Sequence, residues 1–287
     1  MARRVSARRV VQFAWAAIIN CWLPGYVKGT VYTGDLKTIC APGLNCYACP
    51  GAVTSCPIGA VQAVVGSARY NVSYYLIGFF LLVGGMLGRF ICGFLCPFGL
   101  VQELLHRIPF PRKIGSFRGD KQLRLLKYVV LVVFVILLPI LFVNAAGGGL
   151  PWFCKWICPA GTLEGGIPLL SVSSLLREAA GLLFTWKIGV LVTVLFLSVV
   201  IQRPFCKYLC PLGAIYALLN RFALFRYCVD EGACTHCGKC GRECPMQVDP
   251  SDKPNHPECV RCGKCKKGCP TGAIAASFAG IAVSPKK

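Results

Sequence analysis

Apolar residues run in four blocks along the chain, approximately Val10 to Leu23, Val72 to Phe90, Leu125 to Ala146 and Leu182 to Ile201. About 20 apolar residues cross a hydrocarbon core of roughly 30 Å, so the blocks predict four membrane helices. The first is the shortest and carries Gln12 and Asn20. A basic start and a short apolar run also fit a secretory signal, but no small-x-small cleavage site follows, so the block reads as a retained span.

Basic residues give the spans a direction. Arg3, Arg4, Arg8 and Arg9 precede the first block, and Arg107, Arg112, Lys113, Arg118, Lys121 and Arg124 lie between the second and third. The alternate loops hold only Lys28, Lys37 and Arg69, then Lys155 and Arg177. By the positive-inside rule both termini and the middle loop are cytoplasmic, and residues near 25–70 and 147–181 face outward. Tyr70, Tyr74, Tyr75, Trp152, Trp156 and Trp186 fall at span ends, where interfacial aromatics or plain packing would put them.

Composition agrees. Of 287 residues 55% are hydrophobic and only 15% charged, against roughly 25% charged in soluble domains, which excludes an ordinary cytosolic enzyme. The net charge of +20 is concentrated in topology-setting loops, so nucleic acid is not an expected partner and membrane lipid is. Twenty cysteines recur at metal-ligand spacings rather than as a small disulfide scaffold.

From Cys234 the chain reads CTHCGKCGRECP and from Cys259 CVRCGKCKKGCP. Both are C-x2-C-x2-C-x3-C-P, the run of bacterial two-cluster ferredoxins, whose fourth cysteine ligates the other cluster. The spacing assigns one [4Fe–4S] cluster to Cys234, Cys237, Cys240 and Cys269, and a second to Cys259, Cys262, Cys265 and Cys244. Zinc knuckles use paired short units with a long spacer and have no reason to end in Cys-Pro. With eight thiolates supplied, His236 and His256 read as loop residues. Residues 271–283 are apolar but too few to span, so they are expected to pack on this module.

An internal repeat extends the iron–sulfur reading. Residues 89–107, RFICGFLCPFGLVQELLHR, match 203–221, RPFCKYLCPLGAIYALLNR, at a constant offset: Arg89 with Arg203, Cys92 with Cys206, Cys96 with Cys210. Two parallel halves related by an axis along the membrane normal would gather Cys92, Cys96, Cys206 and Cys210 into a third [4Fe–4S] site at the inner face. Cys-Pro-x-Gly recurs in the outward loops at Cys56 and Cys158. A fourth cluster at the outer face would draw on Cys154, Cys158 and Cys56, with Cys49 or Cys46 as fourth ligand; ligation by Cys40, Cys46, Cys49 and Cys56 alone, or a disulfide at Cys40, is the alternative. Proline is favoured in the first helical turn, so each Cys-Pro is expected to open a short interfacial helix with its thiolate at the positive end. Arg89 and Arg203 are candidates to tune the inner site or to anchor lipid headgroups. Cys21 and Cys228, outside every motif, read as small apolar residues.

The CGFLCPFG and CKYLCPLG motifs, the four-span layout and the double ferredoxin ending in CPTGAI resemble the membrane polyferredoxins of the NapH, NosR and CcoG type. The resemblance covers most of the chain. It implies an electron-transfer subunit of a respiratory redox complex in a prokaryotic cytoplasmic membrane, in some cases tied to quinol oxidation. The outward motifs CYACPGAVTSCPIGA and CKWICPAG depart from the simplest members, and the flavin-binding domain of NosR-like relatives is not seen. The expected architecture is mainly α: membrane halves 1–110 and 125–227, a basic linker 111–124, and an α+β ferredoxin-like domain 228–287.

Rival readings follow. The first is a conduit carrying electrons between a cytoplasmic or quinone donor and an outer-face flavin, haem or iron–sulfur partner. The second is quinol chemistry at Glu103 and His106, three residues apart on one helical face, with Glu164 as an outer counterpart. The others are a cluster-bearing assembly factor or metal reductase, and a thiol–disulfide oxidoreductase.

Overall fold

The computed structural model describes residues 7–67, 73–115, 117–144 and 148–282. Arg3, Arg4, Arg69 and Tyr70, and the span ends expected at Val72 and Ala146, lie outside the described residues. The chain is mainly helical, with one small antiparallel sheet.

All four apolar blocks form helices, but among the described residues only two are long and apolar enough to cross a membrane: Asp120–Leu141, 22 residues, and Leu182–Val200, 19 residues. At 1.5 Å per residue these reach about 33 and about 28 Å. Ala7–Ile19 and Tyr74–Leu87 have 13 and 14 residues, about 20 Å, and stop short of the expected length. The first ends where Asn20 turns its amide back to the Ala16 carbonyl and across to Asn45. The second ends at Gly88, whose φ of +55° suits glycine.

The two long helices run in opposite directions. Asp120 lies beside Tyr208 and Lys207 at the end that holds the C-terminal module, whereas Leu182–Val200 starts at the far end, where Trp186 bonds the Trp156 carbonyl, and finishes against Ile114. The Asp120 helix begins inside the expected linker. Its Leu131–Leu137 stretch is π-helical and stands just before Pro139, and Gly161–Gly166 is π-helical just before Pro168. Proline lacks an N–H and collides with the carbonyl four residues back, and the widened turn accommodates both.

Pro57–Gly66, Pro97–Leu105 and Pro211–Asn220 each open at the proline of a Cys-Pro pair. The last two are not interfacial: they are packed into the interior, with Phe98, Leu212, Ala214 and Tyr216 in the main core. Their apolar faces have a protein partner, which spacing alone did not reveal.

In the C-terminal module β1 (Phe225–Val229) pairs antiparallel with β2 (Ile274–Phe278), which pairs with β3 (Ile281–Ala282). The apolar tail therefore forms strands, and Tyr227, Ile274 and Ala276 pack with Cys265 in a satellite core. The module is fastened to the helical part through Arg261, which donates to the Leu87 and Asn220 carbonyls at 3.1 and 2.8 Å. Asn220 in turn donates to the His256 and Cys259 carbonyls.

Candidate metal centres

In the C-terminal module, Cys234, Cys237, Cys240 and Cys269 line one cavity. Cys244, Cys259, Cys262 and Cys265 line another. His256 is half-buried and its Nδ1 accepts the Glu258 amide at 3.0 Å, away from either set. His236, with φ of +49°, lies in irregular backbone and lines the cavity of the Cys234 set.

The inner quartet, Cys92, Cys96, Cys206 and Cys210, is buried, and its sulfurs interact electrostatically across the two repeats. Each Cys-Pro sulfur caps its helix: Cys96 Sγ accepts from the Gly99 amide at 3.4 Å and Cys210 Sγ from the Gly213 amide at 3.3 Å. Such amides stabilise a thiolate and any anionic group bound through it. Gln102 Nε2 donates to Cys206 Sγ at 3.2 Å.

Arg89 and Arg203 are not headgroup anchors, since both are fully buried. They cross the repeat axis: Arg89 donates to the Cys206 carbonyl at 3.3 Å, and Arg203 to the Cys92 carbonyl at 2.6 Å. Each also holds a buried carboxylate. Arg89 bonds Glu258 at 2.8 Å, with Lys127 as second cation, and Arg203 is ion-paired with Glu103 at 3.0 Å without a hydrogen bond, while Arg8 bonds Glu103 at 2.6 Å. Burial alone would raise the Glu258 carboxyl, but Arg89 and Lys127 outweigh it and hold it at about 2. Arg89 Nε and Arg203 Nε remain buried donors without a protein acceptor.

These ion pairs correct the quinone candidates. Glu103 is a buried carboxylate between two guanidiniums, held below the usual range by Arg203 and Arg8 against the opposing effect of burial. Glu103 is therefore not the solvated residue of an amphipathic surface helix. His106 lies past the helix end, and its carbonyl is taken by Lys113. Arg8, expected as a topology charge before the first span, is likewise an interior ion-pair partner.

At the opposite end Cys46, Cys56, Cys154 and Cys158 line one cavity. Cys49 lies outside it and faces the Tyr26 hydroxyl at 3.3 Å, so the fourth member is Cys46, and the Cys40, Cys46, Cys49, Cys56 grouping is not brought together. Cys40 is buried in a backbone bridge with Ser55. The outer set repeats inner features. Cys158 Sγ accepts from the Gly161 amide at 3.4 Å, and Gln62 Nε2 donates to Cys154 Sγ at 3.2 Å. Glu164 accepts the Cys46 amide at 2.7 Å, and burial raises its carboxyl to about 7. Cys21 and Cys228 are exposed rather than buried.

Two close approaches, neither legible from spacing, join the sets. The loop carrying Cys40 to Cys56 does not stay at the outer face. Gly43 lies against the inner motif, where a Cβ would come 2.6 Å from the Leu95 carbonyl oxygen and 3.0 Å from Cys96 Cα. Tyr216 bonds the Pro42 carbonyl at 2.9 Å, and only Gly43, Leu44 and Asn45 separate Pro42 from Cys46. This non-helical backbone is enclosed by protein, and Tyr216 meets its Pro42 carbonyl. On the other side Gly93, between Cys92 and Cys96, abuts Val260, between Cys259 and Cys262; a Cβ there would run into the Val260 carbonyl oxygen. Gly93→Val is expected to cost about 1–3 kcal/mol by overpacking and to speed proteolytic release of the C-terminal module, read by limited digestion.

Among the described residues no three His, Cys, Asp or Glu side chains converge closely enough to hold one metal ion. Three of the four sets, all but the inner quartet, line open spaces, which suits a multi-iron cluster better than a zinc ion about 2.3 Å from each sulfur. With the orphan arginine donors and the sulfur-capping amides, the donor sets fit [4Fe–4S] groups.

Comparison with known proteins agrees. The family model described as a 4Fe-4S binding domain matches residues 72–116, 127–170 and 182–226. The methylamine utilization ferredoxin-type protein MauN of Paracoccus denitrificans is 30% identical over 83% of this chain and 74% of its own. The chain belongs to this 4Fe–4S ferredoxin-type family. Another relative is the putative electron transport protein YccM of Escherichia coli, 28% identical over 61% of this chain and 46% of YccM. The regulatory protein NosR of Stutzerimonas stutzeri is 29% identical over 58% of this chain and 21% of NosR. No solved structure matches. As a member of the 4Fe–4S family the chain is an iron–sulfur electron-transfer protein. The three matched units each pair an apolar helix with a C-x3-C-P-x-G motif, so the family unit is half the length of the parallel repeat.

Proposed function

We propose that this chain is a membrane-embedded electron conduit holding four [4Fe–4S] clusters between a donor on the side of the C-terminal module and a redox partner at the opposite face. The carrying observation is the continuity of the four cysteine sets. Cys237 is exposed at the module's edge, the Cys259 set abuts the inner quartet through Val260 and Gly93, and the inner quartet abuts the loop that delivers Cys46. Clusters bound at these thiolates supply one-electron transfer. The protein's own residues exclude water, fix the spacing between sets, and surround the sulfurs with amides and guanidiniums that favour an anionic group. Membrane embedding is supported by the two long helices, of mean hydropathy 2.5 and 2.2 with only 28% and 22% of the window buried within the protein. On this reading four helices, two of them short, cross a locally thinned or protein-filled section, with both ends of the chain on the basic side. The flanking domains are the halves 1–110 and 125–227, the linker, and the 228–287 module.

The test is elemental. Purified protein is expected to carry about sixteen irons with matching acid-labile sulfide; about eight would leave only the ferredoxin pair, and stoichiometric zinc would remove the redox reading.

A further inference from the structure

The residue six positions after the Cys-Pro-x-Gly cysteines Cys56, Cys96, Cys158 and Cys210 reaches across to the other half of the molecule. These residues are Gln62, Gln102, Glu164 and Tyr216. Glu164 takes the Cys46 amide and Tyr216 gives its proton to the Pro42 carbonyl, so neither offers a proton to sulfur in these bonds. The two glutamines do. Each is fully buried and makes the same three bonds. Gln102 Oε1 accepts the Phe205 amide at 3.2 Å, while Nε2 donates to the Phe98 carbonyl at 3.4 Å and to Cys206 Sγ at 3.2 Å. Gln62 Oε1 accepts the Phe153 amide at 2.9 Å, while Nε2 donates to the Ile58 carbonyl at 3.3 Å and to Cys154 Sγ at 3.2 Å. The backbone N–H of the residue before the cysteine can only be met by the amide oxygen, which leaves the NH2 group facing sulfur. Orientation is therefore dictated by the network.

We propose that Gln62 and Gln102 are a matched pair of potential-setting residues, each raising the reduction potential of one membrane cluster through an N–H···S bond to a thiolate supplied by the other half. This rests on the cluster assignment under Proposed function. One-electron reduction adds negative charge to the cluster and its thiolates. A fixed neutral donor stabilises the reduced form more than the oxidised form, as hydrogen bonds to sulfur do in iron–sulfur centres. Both donors lie in the first half and both acceptors in the second, so one half tunes the centres and also fixes the neighbouring cysteine arm.

The experiment is a redox titration of the full chain in detergent followed by electron paramagnetic resonance, with signals assigned by Cys96→Ala and Cys158→Ala. Gln102→Leu is expected to lower the potential of the inner cluster alone, and Gln62→Leu that of the outer cluster alone. The expected change is about tenfold in the reduced-to-oxidised ratio at fixed potential, which for one electron is about 59 mV. Gln102→Glu and Gln62→Glu keep the oxygen for the Phe205 or Phe153 amide; a protonated carboxyl there still offers one proton to sulfur, and its ionisation removes that proton and adds an anion, so the potential of the same cluster alone is expected to fall as pH rises. Glutamate already stands at this position as Glu164, so these variants carry the test if the leucine variants lose their fold. A full iron complement with unmoved potentials, or a shift in the wrong cluster, overturns the proposal. Unaltered protein with only about eight irons would overturn the cluster assignment instead.

Discussion

Cys46→Ala is expected to remove about four of sixteen irons, and Cys49→Ala to remove none. The two cysteines are three residues apart, and spacing made them equivalent candidates. Cys46 lines the cavity shared with Cys56, Cys154 and Cys158, while Cys49 is turned towards Tyr26 behind it. Loss of the fourth thiolate leaves an iron without a ligand in a buried site, and the neighbours Gly161 and Gly165, where a Cβ would lie 3.7 and 3.3 Å from Cys46 Sγ, carry no side chain to replace it. Iron analysis of the two variants decides the matter. Equal loss from both would mean that the outer ligand set is misassigned.

Glu258→Ala should destabilise the docked module by about 3–5 kcal/mol, because removing one member of a buried ion pair strands its partner. Here two cations are stranded, Arg89 and Lys127, both fully buried. The measurement is denaturant unfolding in detergent, with protease release of the C-terminal module as second readout; a change within about 0.5 kcal/mol, the range of neutral surface substitutions, would sink the prediction. The pH dependence has a definite sign. The folded carboxyl sits at about 2 against an ordinary 4.5, so its contribution is complete above about 4.5 and lost as pH falls towards about 2.

Short-range patterns in the sequence group the module cysteines as the cavities group them, whereas long-range geometry was poorly legible. The C-x2-C-x2-C-x3-C-P runs were enough to sort eight ferredoxin cysteines into the sets that line the two module cavities, because ligand spacing within one loop is a local property. The offset between Cys92 and Cys206 identified the inner quartet because duplicated chains keep duplicated contacts. Charges misled where burial reversed their meaning. Arg8, Arg89, Arg203 and Glu103 look like membrane-surface residues in a linear reading, yet they form two parallel sets of interior ion pairs. The descent of Pro42–Leu44 to Cys96 left no periodic trace, since an irregular enclosed loop has none. The glutamines had a visible signal, the same residue six places after Cys56 and Cys96, but meaning attaches to it only once the opposing sulfur is seen.

Because each membrane quartet takes two cysteines from either half, no centre can be completed until the ribosome has delivered Cys158 or Cys210, more than a hundred residues after Cys46 or Cys92. On the proposed reading, iron loading at either site waits until both halves have been made, and a product cut short between them carries thiol pairs without their partners.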